Sequence, residues 1–100
     1  MMEIKIQAIH FDATEQLQAF IEKKVMKLEK AYEQIQKVEV SLKVVKPATA
    51  MNKQASVSVV LPGNNVFVEK ICDTFEESID QCVDSLKVQL TKIKEKQREH

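Results

Sequence analysis

Fifteen lysines and arginines are matched by fifteen aspartates and glutamates, so the chain carries no formal net charge. Whatever its cations do must therefore come from where they sit. Lys23, Lys27 and Lys30 recur at three- and four-residue spacing with Lys24 beside them, and Lys87, Lys92, Lys94, Lys96 and Arg98 crowd residues 87–98 against Glu95 alone. Two such clusters can supply about six to nine phosphate contacts, which makes binding to nucleic acid strongly salt-dependent. Other chemistries lack their residues. His10 and His100 stand at opposite ends and no serine lies in a GxSxG context, so no nucleophile, base and orienting group can be assembled. Cys72 and Cys82 have neither CxxC spacing nor a histidine pair, which argues against a disulfide framework and a zinc site. They read as small, reduced, buried hydrophobes. A single glycine excludes a phosphate loop or Rossmann turn, since such loops need residues without a Cβ close to the ligand.

These side chains need a scaffold, and 100 residues at 44% hydrophobic suit one domain over 1–100 that buries about 65% of its unfolded surface. The N-terminus is neither a signal peptide nor a transit peptide, and no apolar run is long enough for a membrane helix, so the expected location is cytoplasmic. Residues 3–9 alternate, with Ile4, Ile6 and Ala8 on one face, as a half-buried strand does. Leu17, Phe20, Ile21, Val25, Leu28, Ala31, Tyr32 and Ile35 then follow helical spacing, which predicts one helix of roughly 30 Å from about Thr14 to Gln34. Val38, Val40, Leu42 and Val44 mark a second strand, and Ala55, Val57, Val59 and Leu61 a third. Between them the stretch from Lys46 to Lys53, with Pro47, is expected to be a mobile loop. Pro62-Gly63-Asn64-Asn65 predicts the turn of a hairpin into a fourth strand, Val66 to Cys72. Thr74-Phe75-Glu76-Glu77 reads as a capping box opening a last helix that runs to about Lys96. The expected fold is α+β: a two-layer βαβββα arrangement in which two helices pack on one face of a four-stranded sheet, with a right-handed first crossover.

On a helical wheel Lys23, Lys27 and Lys30 fall at roughly 220–280° from Leu17, and Glu15, Glu22, Glu29 and Glu33 at roughly 120–160°. One edge of the first helix is thus basic. None of these lysines has a glutamate four residues before it, the spacing that would serve the helix itself. Lys24 falls inside the apolar arc, where it must snorkel out between the helices or meet an anionic partner. In the last helix charge separates along the axis: Asp73, Glu76, Glu77, Asp80 and Asp84 come first with no base among them, and the bases follow. That order suits the macrodipole, which needs fewer charges than are present.

RNA fits these clusters better than DNA. No helix carries the Arg and Asn combination that reads the major groove, and Phe67 is the only aromatic on a strand, which speaks against base stacking in the manner of an RRM. Contacts to backbone and shape remain. The rival expectation is a protein-interaction module that uses an unpaired sheet edge or an exposed surface around Ile9, Val45 and Val60, with the lysines serving solubility.

Three fragments in order, Thr14-x-x-Leu17-x-x-Phe20-Ile21-x-x-Lys24-x-x-Lys27-Leu28, Val38-x-Val40-x-Leu42-Lys43-Val44 and Ile79-Asp80-x-x-Val83-Asp84-x-Leu86-x-x-Gln89-Leu90-x-Lys92-x-Lys94-x-Lys96, resemble the short ribosome hibernation promoting factors, also called ribosome-associated translation inhibitors or sigma-54 modulation proteins. The resemblance covers nearly the whole chain. It implies a cytoplasmic, non-enzymatic inhibitor without cofactor or metal. Such a protein binds small-subunit ribosomal RNA near the decoding region, with ribosomal proteins as further neighbours, and blocks mRNA and tRNA during stress or stationary phase. Lys24, Lys27, Lys92, Lys94 and Lys96 match basic positions of the family, and with Lys23, Lys30, Lys87 and Arg98 they form the candidate RNA-binding set. Gln18, Ser85 and Val88 stand where many members carry Arg or Lys, and Glu76 near an aromatic position, which implies a thinner basic face. The chain ends at His100, before the linker and dimerisation domain of long-form members would begin, so pairing of ribosomes through that domain is not expected.

Overall fold

The computed structural model describes residues 3–9, 13–45 and 52–98; the side chains of Gln97 and Arg98 lie outside that description. The predicted loop from Lys46 falls largely outside the described residues as well. The elements run β1 (Glu3–Ile9), α1 (Glu15–Met26), α2 (Leu28–Ala31), β2 (Lys37–Val44), β3 (Lys53–Leu61), β4 (Asn64–Cys72) and α3 (Phe75–Arg98). The sheet order is β1-β2-β3-β4, with β1 and β2 parallel and the other two pairs antiparallel. The α+β, βαβββα expectation holds.

Alternation decides which sheet face is dry. Val38, Val40 and Leu42 of β2 and Ala55, Val57 and Val59 of β3 are fully or almost fully buried, and cross-strand register sets Val38 against Val59, Val40 against Val57 and Leu42 against Ala55. Ile21, Val25 and Leu28 from the first helical segments and Ile79, Leu86 and Leu90 from α3 close over them. The helix α3 lies on β3 and β4, α1 lies toward β1, and both α1 and α2 touch α3. Val44, expected on the dry face, is exposed at the end of β2. Its register partner is Lys53 at the start of β3, where the apolar ladder has run out.

The single helix expected from Thr14 to Gln34 is instead two segments that end at Ala31. Thr14 caps the first, its Oγ1 accepting from the Leu17 N–H at 3.1 Å. At Lys27 the backbone stays right-handed, but its N–H donates to the Lys24 carbonyl and the Lys30 N–H to the Lys27 carbonyl, both at 3.2 Å. These three-residue steps tighten the turn and break the α-helical ladder. Tyr32 then becomes extended, with φ −153° and ψ 108°. The cause is topological. Because β1 and β2 are parallel neighbours with Glu3 opposite Lys37, the chain must be back at the start of the sheet by residue 37. Gln36 is already held there, its N–H on the Val60 carbonyl at 2.9 Å and its carbonyl receiving the Glu3 N–H at 3.2 Å. Tyr32 and Ile35 still reach the core from this non-helical stretch.

The hairpin turn is shorter than predicted. Leu61 pairs with Asn64, leaving Pro62 and Gly63 as a two-residue loop, and Gly63 takes the left-handed φ of 75° that a residue with a Cβ resists. The cap predicted for the last helix is present, with the Glu77 N–H on Thr74 Oγ1 at 3.1 Å. One contact had no counterpart in the sequence reading: buried Ser78 donates from Oγ to the Lys53 carbonyl at 2.6 Å, tying the first turn of α3 to the start of β3.

Both cysteines are free and buried, as expected. The Cys82 thiol points at the Ala55 carbonyl, 3.4 Å away, and burial pushes it up from 9.0 to about 11. A raised value means the folded state holds its proton more tightly. The stability this gives is present below about pH 9 and is lost as pH rises toward 11, because the unfolded chain ionises first. Native protein should therefore resist thiol alkylation at pH 8 and react only as fast as it opens, which mass spectrometry across a urea series would show. In urea unfolding, Leu86→Ala should lose about 3 kcal/mol, as a cavity under α3 does, and Thr74→Ala about 1 kcal/mol, as a lost cap does.

Candidate nucleic-acid interface

Two points fix how the helices lie side by side. Lys24 of α1 meets Asp80 of α3, and further along both chains Lys94 of α3 shares a hollow with Tyr32, Glu33 and Gln34 just past α2. The contacts occur in the same order in both segments, so the helices run in the same direction. Their adjoining flanks then follow from 100° per residue. On α3, Asp80, Lys87 and Lys94 fall within roughly 40° of one another, on the flank toward α1, while Lys92 and Lys96 fall on the opposite flank. On α1, Phe20, Lys24 and Lys27 lie toward α3.

Lys23, Lys27 and Lys30 line one shallow groove that also holds exposed Met26, with Glu22 and Glu29 along its other side. Lys87 and Lys92 line a second, with exposed Val88 between them and Glu95 at its end. Both grooves face outward, away from the sheet. Among the described residues no carboxylate lies within 4.0 Å of Lys23, Lys27, Lys30, Lys87, Lys92, Lys94 or Lys96, since the two ion pairs are Lys24–Asp80 at 2.9 Å and Lys37–Glu39 at 3.3 Å. Those seven ammonium groups are available to an anion in solution. Arg98 closes α3, but its side chain is outside the described residues.

Lys24 differs from the rest. Its place in the apolar arc demanded an outlet, and the structure supplies two: the Asp80 carboxylate and the face of the Phe20 ring, 5.5 Å from the ammonium to the centroid. Neither partner had been singled out from sequence. Asp80 lies on another helix, where no spacing rule reaches. The apolar Met26 and Val88 were also missed as members of the lysine grooves, because an isolated exposed hydrophobe carries no periodic signal.

The wet face of the sheet is mixed. Ile9, Val45 and Val60, expected to form an exposed apolar surface, are half-buried, whereas Phe67 and Ile71 of the edge strand β4 are exposed. Small polar residues, Ser41, Ser56 and Ser58, sit opposite one another or opposite Phe67 and separate these groups. No described helix is long and apolar enough to cross a membrane, and no described cluster of His, Cys, Asp and Glu could hold a metal ion.

Comparison with known proteins agrees with the resemblance read from the sequence. The ribosome hibernation promoting factor of Pseudomonas putida is 28% identical over 97 residues, which cover 97% of this chain and 91% of that protein. The N-terminal domain of Protein Y from Thermus thermophilus superposes with a TM-score of 0.78 at 26% identity, over 93% of this chain and 99% of the other. A ribosomal subunit interface protein from Coxiella burnetii shares the fold, with a TM-score of 0.83 at 22% identity, over 93% of this chain and 98% of the other. The family model described as sigma 54 modulation protein / S30EA ribosomal protein matches residues 4–98. With the strand order, both caps and the paired helices in place, the chain belongs to that family.

Proposed function

We propose that residues 1–100 form a single ribosome-binding domain, a cytoplasmic and non-enzymatic translation inhibitor. It occupies the small ribosomal subunit near the decoding region during stress or stationary phase, contacts ribosomal RNA, and keeps mRNA and tRNA out. Ribosomal proteins border the site. One observation carries the reading: seven lysines without a carboxylate partner among the described residues stand on helices that run side by side, and five of them, Lys23, Lys27, Lys30, Lys87 and Lys92, line the two outward grooves. The name of the Pseudomonas putida relative, a ribosome hibernation promoting factor, supports the choice of partner.

The mechanism is occupancy. Lysines act as point charges toward phosphate, and each contact displaces a counterion condensed on the RNA, so affinity grows with the number of contacts and falls with salt. Rows on two rigid helices hold those charges at fixed spacing, which suits a folded RNA backbone better than a flexible tail would. Met26 and Val88 add apolar contact in the middle of each row, where ribose and base edges would lie.

Co-sedimentation with purified small subunits tests this. Raising salt from about 50 to about 200 mM should weaken binding about a thousandfold or more, and the double reversal Lys27→Glu with Lys94→Glu should abolish it while circular dichroism stays unchanged. Binding that ignores salt and survives the double reversal would overturn the RNA reading and move the partner to the protein surfaces of the sheet.

A further inference from the structure

The ammonium of Lys24 is already answered inside the protein. Asp80 Oδ1 lies 2.9 Å from it, across the groove between α1 and α3, with the Phe20 ring against its other side. Both side chains of the pair keep contact with solvent, Lys24 at 29% and Asp80 at 48%, so an incoming anion can reach the ammonium without any unfolding. A solvated pair of this kind is worth no more than about a factor of five in an equilibrium constant. A phosphate in its place offers a charge-assisted hydrogen bond of the same kind and releases a counterion as well. The exchange is therefore within reach of a polyanion.

We propose that Asp80 is a built-in competitor for RNA phosphate, occupying Lys24 in the free protein and being displaced when the chain docks. The inference rests on the RNA-binding reading above and goes beyond it by giving an acidic residue a part in setting affinity. The surroundings favour displacement at a cost rather than a free swap. On its own helix Asp80 has Glu76 one turn before it and Asp84 one turn after, and the first base on α3 is Lys87. Once released, the carboxylate finds like charges beside it and a phosphate in front of it. Lys23 and Lys27, on either side of Lys24, carry no such competitor among the described residues, so they can hold a backbone while the exchange takes place. Asp80 acts only through Lys24, which makes it an affinity-determining residue and not a ligand for RNA.

The test is a double-mutant cycle on the full chain with purified small subunits. Asp80→Asn should tighten binding several-fold at fixed salt, Asp80→Ser should do the same, and thermal melts should confirm that both variants fold. Lys24→Gln should weaken binding and lower the slope of log affinity against log salt by a little under one. In the Lys24→Gln background the gain from Asp80→Asn should vanish. A gain that persists in full without Lys24 would show a bulk charge effect and overturn the exchange. Weaker binding by folded Asp80→Asn and Asp80→Ser would also overturn it and make the pair a strut that spaces the helices. If the unmutated chain does not bind small subunits at all, the ribosome reading itself falls, which is a different result from either of these.

Discussion

A sheet of four strands is about 20 Å across at the usual strand spacing, and two helices packed at the usual 8–10 Å are just wide enough to cover it. That fit governs the outer surface of this protein. With Val38, Val40, Leu42, Val57 and Val59 all needing cover on one side, α1 and α3 must stand next to each other, each with its apolar stripe down. Whatever residues occupy their adjoining flanks are then brought together. Lys24 and Asp80 meet for this reason, and Lys94 comes against the segment after α2 for the same reason. The parallel pairing of β1 with β2 adds a second demand. It forces the first helical region to end at Ala31, so that residues 32–36 can carry the chain back to the edge of the sheet.

The two helices solve their electrostatics differently. In α1 opposite charges sit on opposite edges, with Met26 between them on the outer crest. In α3 they separate lengthwise, acids at the start and bases at the end, an order the helix dipole favours at both termini. Laid side by side, the arrangement gives the adjoining flanks one neutralised point, at Lys24 and Asp80, and further lysines beyond it at Lys27, Lys87 and Lys94. Polarity along a groove gives a bound polyanion a preferred direction as well as a site.

The fold was largely legible because its periods are clean. Alternation in β2 and β3 named the buried residues of both strands except Val44, and Thr74 announced the cap of α3. The break at Lys27 was not legible, since Leu28, Tyr32 and Ile35 continue the helical phase across it and only the strand register reveals that the chain must turn. The two-residue hairpin was hidden in a four-residue turn signal, because Asn64 and Asn65 look like turn residues yet pair with Leu61 and Val60. Of the candidate site, the free lysines could be named from spacing on their own helices. The Lys24–Asp80 pair and the Ser78 link to β3 could not, because each joins elements that only tertiary packing makes neighbours.

A chain of zero net charge is an unlikely polyanion binder only if its charges are felt as a sum. At physiological ionic strength the Debye length is about 8 Å. From Asp80 to Lys94 along α3 is fourteen residues, or roughly 21 Å at the helical rise. An anion at the basic end of α3 is thus screened from the acids at its start, while Lys24 and Asp80, in direct contact, are not screened from one another. The protein presents a local field, and the acids that bring its total to zero act where they stand: at the start of α3, on the far edge of α1, on the sheet, and against Lys24 and Lys37. Neutrality of the whole and a positive face on the helix layer are therefore compatible.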